Sequence, residues 1–399
     1  MIKIRVGDIQ IGEHERRAIN EVVESGRFSE GKKTKEFELL WAKYIGTKYC
    51  VAVNSGTSGL LAGLYALLYD NRFKKVKKGT KVITSPISYV ATSNAIVLAG
   101  MKPVYVDIDP YTFKLDVCQI EDLLKKNNPD EYSIILPVHL MGYPNDMDEI
   151  NYLAKKYDLV VFEDAAQAHG SLYKGKRVGS LSLLADYSFY IAHNIQVGEM
   201  RAVVTNDEKI RTLLKKIKAN GRVCSCPACI RADGKCPYSK DAFDPRFTHE
   251  YIGFNFKTTE FQPAIAIPQI NKADSIIRQR QENVKYLNKQ LGSFTDLFQL
   301  PLYSKDVSYF AYPIIIKNNK IRRHDLMHAL GVAGIESRPL FGCIPTQQPS
   351  YDYLKSIYEG KLPNADYIGE RGFYIGCHQY LNRDDLDFIG EIFRQLIKL

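Results

Sequence analysis

The sequence predicts an α/β protein whose large domain has a mostly parallel sheet and is followed by a smaller α+β domain. Short runs of apolar residues alternate with segments of helical periodicity through the first half of the chain. Strands that are apolar throughout are typical of a parallel sheet covered by helices on both faces. The length of 399 residues fits two packed domains. We therefore expect a large domain over residues 1–255 and a small C-terminal domain over residues 256–399.

The elements of the large domain are predicted from these runs in chain order. An apolar run followed by turn residues and then by helical spacing indicates a strand, a tight turn and a helix. The predicted strands are Val51–Asn54, Lys81–Thr84, Pro103–Ile108, Tyr132–His139, Leu159–Asp164, Tyr187–Ala192 and Ala202–Thr205. The predicted helices are Leu60–Leu68, Ala91–Ala99, Met147–Tyr157 and Glu208–Ala219.

The C-terminal part of the chain mixes helical and strand patterns. Helical spacing extends from Thr259 to Leu291, and Pro263 and Pro268 should kink or delimit its first turns. The further predicted elements are a strand at Phe310–Ile316 and helices at Arg323–Leu330 and Asp384–Ile397. This mixture predicts the α+β character of the small domain.

The composition is that of a globular protein and favours neither a nucleic-acid nor a membrane partner. Hydrophobic residues make up 45% and charged residues 25% of the chain, which excludes a disordered or collagen-like protein. The formal net charge is +9, but the excess basic residues lie in short scattered clusters rather than in one binding motif. No run reaches the length of a membrane span, and the first residues lack the apolar stretch of a signal peptide. We therefore expect a cytoplasmic protein.

Three places at predicted strand ends could carry chemistry, because ligands of open α/β sheets bind at the carboxyl ends of the strands. Ser55–Ser58 opens a helix, where backbone N–H groups and hydroxyls can hold an anion, although the same residues also form an ordinary helix cap. Asp164 ends a buried strand, and an ionised carboxylate there needs a partner such as a heterocyclic nitrogen or an arginine. Ser188 places a small hydroxyl at another strand end.

A cluster of cysteines lies in segment 221–250, which has no regular periodicity and is here called the cysteine loop. The chain has eight cysteines, and four of them fall in this loop: Cys224, Cys226, Cys229 and Cys236. Cytoplasmic proteins rarely use disulfides, whereas four local thiolates are enough for tetrahedral zinc or for an iron–sulfur cluster. The cysteine loop is therefore predicted to bind a metal.

Seven motifs, taken in order, resemble the DegT/DnrJ/EryC1/StrS family of sugar aminotransferases and dehydratases, which are fold-type I pyridoxal-phosphate proteins of the aspartate aminotransferase type. The motifs are Gly26–Gly31, Val53–Ser58, Ser88–Ala95, Pro137–Gly142, Glu163–Gly170, Ser188–His193 and Ile252–Asn255. The resemblance covers nearly the whole chain. The resemblance implies that the large domain binds pyridoxal or pyridoxamine 5'-phosphate.

The resemblance also implies roles for single residues. The residues that would hold the cofactor phosphate are Gly56, Thr57 and Ser188. Asp164 would pair with the protonated pyridine nitrogen, which keeps the ring an electron sink. Tyr89 would stack on the ring, and Gln167 would contact its phenolic oxygen. Asn255 would reach the phosphate of the neighbouring subunit, so the active unit would be a homodimer with shared active sites.

The chain departs from the aminotransferase pattern at His193, where aminotransferases of the family have the lysine that forms a Schiff base with the cofactor. Imidazole cannot form this bond, so the cofactor would be held noncovalently and pyridoxamine phosphate would be its resting form. Histidine retains acid–base competence near neutral pH. The flanking sequence departs as well, with Met200 and Arg201 where two glycines are usual. The subset of the family that carries this histidine is the 3-dehydratases of nucleotide-linked 4-keto-6-deoxyhexoses.

The cysteine loop resembles that of the iron–sulfur members of this subset. In those enzymes a Cys-x-Cys pair and a third cysteine lie in the equivalent loop, and the fourth ligand follows the pyridine-pairing Asp by two residues. Ala166 stands at that position here, so the loop would either supply its own fourth ligand or bind structural zinc. We favour an iron–sulfur cluster, which would be fed by a separate reductase.

The predicted function is a pyridoxamine-phosphate-dependent dehydratase that removes the C3 hydroxyl of a nucleotide-diphospho-4-keto-6-deoxyhexose and gives a 3-deoxy sugar. His193 is the predicted catalytic residue. The first alternative is an aminotransferase of the same family with an atypical active site, and the missing lysine counts against it. The second alternative is a catalytically silent protein with the same fold, which is disfavoured because a scaffold has no physical need for a complete cofactor site.

Overall fold

The fold is described from a computed structural model that covers residues 2–224, 226, 234, 236–238 and 243–397. Its helices are α1 Glu13–Glu24, α2 Lys32–Ile45, α3 Gly56–Tyr69, α4 Ala91–Leu98, α5 Val117–Lys126, α6 Met147–Tyr157, α7 Glu208–Ile217, α8 Phe261–Ile270, α9 Ala273–Leu291, α10 Arg323–Val332, α11 Ile344–Gln347, α12 Lys355–Tyr358, α13 Pro363–Arg371 and α14 Arg383–Ile397. Its strands are β1 Tyr49–Val53, β2 Lys81–Thr84, β3 Lys102–Tyr105, β4 Tyr132–Leu136, β5 Val160–Asp164, β6 Leu172–Tyr173, β7 Lys176–Arg177, β8 Leu184–Ser188, β9 Arg201–Thr205, β10 Phe298–Gln299, β11 Tyr312–Ile316, β12 Ser337–Pro339 and β13 Gly372–Ile375.

The large sheet has seven strands in the order β1-β9-β8-β5-β4-β2-β3. The pairs from β8 to β3 are parallel, whereas β9 runs antiparallel to both of its neighbours. The central strands β4, β5 and β8 are buried along their whole length, as a sheet covered by helices on both faces requires. The predicted mostly parallel α/β sheet is confirmed.

Helix α3 packs very closely on this sheet. A Cβ atom on Gly63 would lie 2.4 Å from the ring of Phe162 in β5, so only glycine fits the present spacing. The close approach sets the height of the first turn of α3 above the carboxyl ends of the strands.

The small sheet is antiparallel, with the order β10-β11-β13-β12. Helices α9 and α14 pack against each other beside it. The C-terminal α+β pattern predicted from the sequence is therefore present, while the boundary between residues 255 and 256 stays a prediction.

The structure shortens three predicted strands and adds six helices: the strands predicted through Ile108 and His139 end at Tyr105 and Leu136. The strand predicted at Tyr187–Ala192 is β8, which ends at Ser188. After it the chain turns, and the N–H of His193 donates to the carbonyl of Tyr190 at 2.9 Å. The helices without a predicted counterpart are α1, α2, α5, α11, α12 and α13. None of the helices in the described part of the chain combines the length and the apolar character that a membrane span needs.

Candidate active site

A cleft of about 760 Å³ lies at the carboxyl ends of the parallel strands. Its floor comes from the large sheet and from α3 and α4, and its outer wall from β12 and the residues that follow it. The sequence-predicted residues that line it are Gly56, Thr57, Tyr89, Asp164, Gln167, Ser188 and His193. These residues are far apart in the chain, and the sheet topology brings them together.

The first turn of α3 forms an anion-binding corner of the cleft. Ser55 caps the helix, and its Oγ accepts from the N–H of Ser58 at 3.4 Å. Gly56 and Thr57 occupy the first helical positions, where backbone N–H groups have no acceptor within the helix. The hydroxyl of Ser188 reaches the same cleft from the end of β8. Backbone donors, a hydroxyl and a helix N-terminus together favour a phosphate.

Asp164 is a buried carboxylate held by donors on both oxygens. Its Oδ2 accepts from the hydroxyl of Thr92 at 2.7 Å. Its Oδ1 accepts from the N–H of Ala166 at 3.2 Å and from Nη2 of Arg201 at 3.2 Å. The arginine considered from the sequence as a possible partner is therefore present, and the carboxylate still borders the cleft.

Gln167 is oriented by the backbone. Its Oε1 accepts from the N–H of Met141 at 2.8 Å, so its NH₂ group is the part left to donate into the cleft. Met141 has a positive φ of 56°, which shows that this turn is held in an uncommon backbone conformation. Gln167 can therefore donate to an oxygen anion.

His193 presents a neutral imidazole to the cleft. Its Nδ1 lies 3.2 Å from the carbonyl of Tyr190, and because a carbonyl only accepts, Nδ1 carries the hydrogen and Nε2 is left as an acceptor. The ring packs 5.1 Å from that of Phe310. Burial lowers the pKa of His193 to about 4, and nearby Arg280 acts in the same direction. His193 is therefore an available base at neutral pH.

A second buried arginine fixes the backbone on which His193 stands. Arg280 in α9 is fully buried and donates through Nη1 to the carbonyl of Phe310 at 2.9 Å. Its Nη2 lies 3.5 Å from the carbonyl of His193. The guanidinium of Arg280 therefore links the backbone of His193 to that of Phe310, whose ring packs against the imidazole.

The outer wall adds two residues without a predicted role, Phe341 beside the predicted Tyr89 and the cation Arg338. Tyr89 is 64% exposed and its ring lies 6.0 Å from that of Phe341. Arg338 in β12 borders the cleft and pairs with Glu336 at 2.9 Å. A cationic, aromatic wall suits an anionic ligand that carries a planar ring.

Asn255 lies apart from the residues that border the cleft. It is exposed, and its carbonyl accepts from Nδ2 of Asn54 at 3.4 Å. Its predicted contact with a second subunit stays a prediction.

The structure describes three of the four cysteines of the predicted metal site: Cys224, Cys226 and Cys236. Cys224 and Cys226 line one small pocket with Lys218 and Arg222, whereas Cys229 lies outside the described residues. Among the residues that are described, no group of three or more His, Cys, Asp and Glu side chains is arranged to hold a metal ion.

The chain belongs to the DegT/DnrJ/EryC1/StrS aminotransferase family, whose profile matches residues 9–394. The lipopolysaccharide biosynthesis protein RfbH of Salmonella typhimurium is 30% identical over 98% of this chain and 90% of its own length. GDP-4-keto-6-deoxy-D-mannose 3-dehydratase of Escherichia coli O55:H7 is 30% identical over 95% of this chain and 96% of its own length. The resemblance seen in the sequence is thus confirmed.

The fold is also that of solved members of the family. The structure of E. coli GDP-4-keto-6-deoxy-D-mannose-3-dehydratase with bound hydrated PLP has a TM-score of 0.86 and 28% identity to this chain, and the match covers 98% of this chain and 99% of the other. The fold is therefore that of the fold-type I pyridoxal-phosphate enzymes, as predicted.

The residues of the cleft fit pyridoxal or pyridoxamine phosphate. The first turn of α3 and Ser188 offer donors to a phosphate, and Asp164 offers a buried carboxylate to a protonated ring nitrogen. The NH₂ group of Gln167 can donate to a phenolic oxygen. Three residues that complete this arrangement had no predicted role: Thr92, Arg201 and Arg338. Thr92 lies inside a recognised motif and Arg201 was noted as a departure, but neither signal reveals a contact with Asp164.

Proposed function

We propose that the protein is a pyridoxamine-phosphate-dependent dehydratase that removes the C3 hydroxyl of a nucleotide-diphospho-4-keto-6-deoxyhexose. The observation that carries this proposal is the neutral, buried imidazole of His193, which stands at the family's Schiff-base position in a cleft whose donors fit the cofactor. The similar E. coli protein is named as a 3-dehydratase of such a sugar.

Each residue of the cleft has a distinct task in this proposal. When bound, pyridoxamine phosphate supplies an amine that condenses with the C4 ketone and a ring that accepts electrons as the C3 hydroxyl leaves. Asp164 keeps the ring nitrogen protonated, and Gln167 donates to the phenolic oxygen. His193 Nε2 takes a proton from the cofactor methylene, because its other nitrogen is already occupied by the carbonyl of Tyr190.

The outer wall would receive the sugar nucleotide. Arg338 is a cation beside the cleft, and its guanidinium is only partly satisfied by Glu336. A diphosphate offers oxygens to such a fork. The rings of Tyr89 and Phe341, which are inclined by 60° to each other, give this side an apolar surface.

The decisive experiment is incubation of the purified protein, loaded with pyridoxamine phosphate, with a panel of nucleotide-linked 4-keto-6-deoxyhexoses, followed by mass analysis of the sugars. Loss of the C3 hydroxyl supports the proposal. Replacement of the C4 oxygen by an amine without loss of the hydroxyl would identify an aminotransferase instead. No change in any sugar, with cofactor bound and a chemical reductant supplied in place of the proposed reductase, would favour the silent-protein alternative.

We further propose a homodimer in which Asn255 reaches the partner's cofactor phosphate. Its exposed position, away from the cleft of its own chain, supports this arrangement. Mixing an inactive His193 variant with an Asn255→Ala variant should restore activity if the sites are shared, because one site of the mixed dimer then has both residues intact. Absence of any recovery in proven mixed dimers would contradict the sharing of sites.

Iron–sulfur dependence and the reductase remain proposals that rest on the four cysteines of the loop and on the family resemblance. Iron, zinc and sulfide analysis of protein purified without oxygen tests them directly. Iron with matching sulfide supports the cluster, zinc supports the structural alternative, and neither metal contradicts both.

A further inference from the structure

Three charged side chains are buried together beneath the first turn of α3. Arg201 begins β9 and pairs in register with Ser188 of β8. Its Nη2 donates to Asp164 Oδ1 at 3.2 Å, and its Nε forms an ion pair with Asp186 Oδ2. The side chains of Arg201, Asp164 and Asp186 are 4%, 6% and 0% exposed. One guanidinium is therefore shared between two carboxylates.

Two glycines near the start of α3 leave room for the side chain of Arg201. A Cβ on Gly56 would lie 2.9 Å from Nη1 of Arg201, and a Cβ on Gly59 would lie 2.8 Å from its Cδ. Arg201 thus places a cation at the floor of the cleft. The cation is held by packing as well as by its two ion pairs.

The buried group of Arg201, Asp164 and Asp186 has one cation for two carboxylates, so its net charge is −1. Burial lowers the pKa of Arg201 to about 10, and Asp164 opposes that shift, so the guanidinium remains a cation at neutral pH. Asp164 is otherwise contacted by neutral donors, the hydroxyl of Thr92 and the N–H of Ala166. Among the described residues, Asp186 has no charged partner besides Arg201. An unbalanced buried charge is costly and favours the arrival of a further cation.

We propose that Asp186 is a positioning residue for the cofactor: it takes up part of the charge of Arg201, so that Asp164 keeps the negative charge that holds the ring nitrogen protonated. The inference rests on the proposed function, because it requires that the cofactor binds in this cleft. In the absence of Asp186, Arg201 would pair with Asp164 alone, and a protonated nitrogen would meet a group with no net charge. Asp186 is not among the residues that line the cleft and would act only through Arg201.

The test follows the ring nitrogen itself. Pyridoxamine phosphate labelled with ¹⁵N in the ring is bound to each variant at neutral pH, and the ¹⁵N chemical shift reports whether the nitrogen carries a proton. The native protein should show the protonated shift. Asp186→Asn should move the shift toward the unprotonated value and weaken cofactor binding by about tenfold, the equivalent of one pKa unit.

A second substitution gives the proposal its sharpest expectation. Adding Arg201→Met to Asp186→Asn removes the guanidinium as well, which leaves Asp164 alone with its full charge. The double variant should recover the protonated shift and bind the cofactor to within about threefold of the native protein. A merely structural ion pair predicts that the single variant loses stability and the double variant regains it, while the ¹⁵N shift of the bound cofactor stays at the native value in both.

A matched control separates electrostatics from stability. Asp107 is also buried, but it accepts from the N–H groups of Asn364 and Ala365, which lie outside the cleft. Asp107→Asn should lower the unfolding temperature and leave the ¹⁵N shift unchanged. Should Asp186→Asn not fold, Asp186→Ser makes the same charge change with less bulk and carries the same expectation.

The outcomes are distinguishable from a failure of the proposed function. If the native protein does not bind pyridoxamine phosphate, the proposed function fails. If it binds but the Asp186 variants keep the native shift and affinity, or if the folded double variant shows the same loss as the single variant, the role of Asp186 is overturned.

Discussion

Several polar side chains of the cleft have one atom fixed by the protein, and this decides which atom is left for chemistry. The Nδ1 of His193 is committed to the carbonyl of Tyr190, so Nε2 is the basic atom. The Oε1 of Gln167 is committed to the N–H of Met141, so the NH₂ group is the donor. Because these commitments are made within the protein, the groups are oriented before any ligand binds, which lowers the cost of reaching the productive geometry.

Replacing His193 with asparagine should abolish proton transfer while leaving the cofactor site in place. General acid–base groups contribute about 10²- to 10⁴-fold to a rate, so turnover of the 4-keto sugar should fall by at least about 100-fold. Cofactor affinity, measured by isothermal titration, should stay within about threefold of the native value. A variant that keeps more than half of the native rate would show that another group is the base.

Replacing Thr92 with valine should weaken cofactor binding, because it removes the donor to Asp164 Oδ2 at nearly constant shape. Hydrogen bonds to charged groups contribute about 1.5–3 kcal/mol to stability, but this bond is already present before the cofactor binds, so only its part in orienting Asp164 affects affinity, and we expect a loss of about threefold, or about 0.65 kcal/mol. Thr92→Ser retains the hydroxyl and serves as the control in the same titration. Equal loss in both variants would mean that the methyl group and not the hydroxyl matters.

The sequence identified the cleft residues that lie at strand ends or in recognised motifs, but not the contacts between them. Asp164 and Ser188 are visible because β5 and β8 end there. The pairing of Arg201 with Asp186 depends on the antiparallel register of β9 against β8, and the contact of Thr92 depends on how α4 packs. Register and packing are tertiary properties that local patterns do not encode.

At the scale of elements, the position of α3, whose first turn forms the anion-binding corner, depends on the absence of a side chain at Gly63. Gly63→Ala places a Cβ 2.4 Å from the ring of Phe162. We expect the free energy of unfolding to fall by about 1–3 kcal/mol, although alanine is the better helix former. Gly331→Ala in α10 is the control, since nothing lies within 4 Å of its Cβ, and it should raise stability by up to about 1 kcal/mol. Urea unfolding measures the change in unfolding free energy for both variants, and equal changes in the two would contradict the prediction.

Helices and strands were predicted best where their pattern is regular and local. The helix Met147–Tyr157 and the strand Lys81–Thr84 agree with the structure residue for residue. Helix α2 was missed although it ends at Gly46 with a φ of 90°, a common helix stop. The strand predicted through Ala192 extends too far because residues 189–192 have strand composition but must turn to place His193, so tertiary contacts override local preference.

At the scale of the whole molecule, three buried histidines make the fold sensitive to mild acid. Burial is the main cause that lowers the pKa of His193 to about 4, that of His378 to about 3 and that of His169 well below its usual value. Each histidine is therefore neutral in the folded protein at pH 5. In the unfolded chain its pKa is about 6.5, so it gains a proton when the protein unfolds at this pH. Because the unfolded chain binds more protons, the free energy of unfolding should fall as pH decreases below about 6.5, down to the folded pKa values.

His378 allows this dependence to be assigned. Its ring is buried, and burial and the nearby Arg280 lower its pKa to about 3, although the backbone of Arg5 acts in the opposite direction. A single such histidine contributes a slope of at most about 1.4 kcal/mol per pH unit.

We expect His378→Gln to reduce the slope of unfolding free energy between pH 6.5 and 5 by about that amount, as measured by urea unfolding at several pH values. His324 in α10 is 92% exposed, and His324→Gln is the control that should leave the slope unchanged, because an exposed side chain has much the same surroundings in the folded and the unfolded chain. Equal slopes in the native protein and the His378 variant would contradict the assignment, whatever the change in absolute stability.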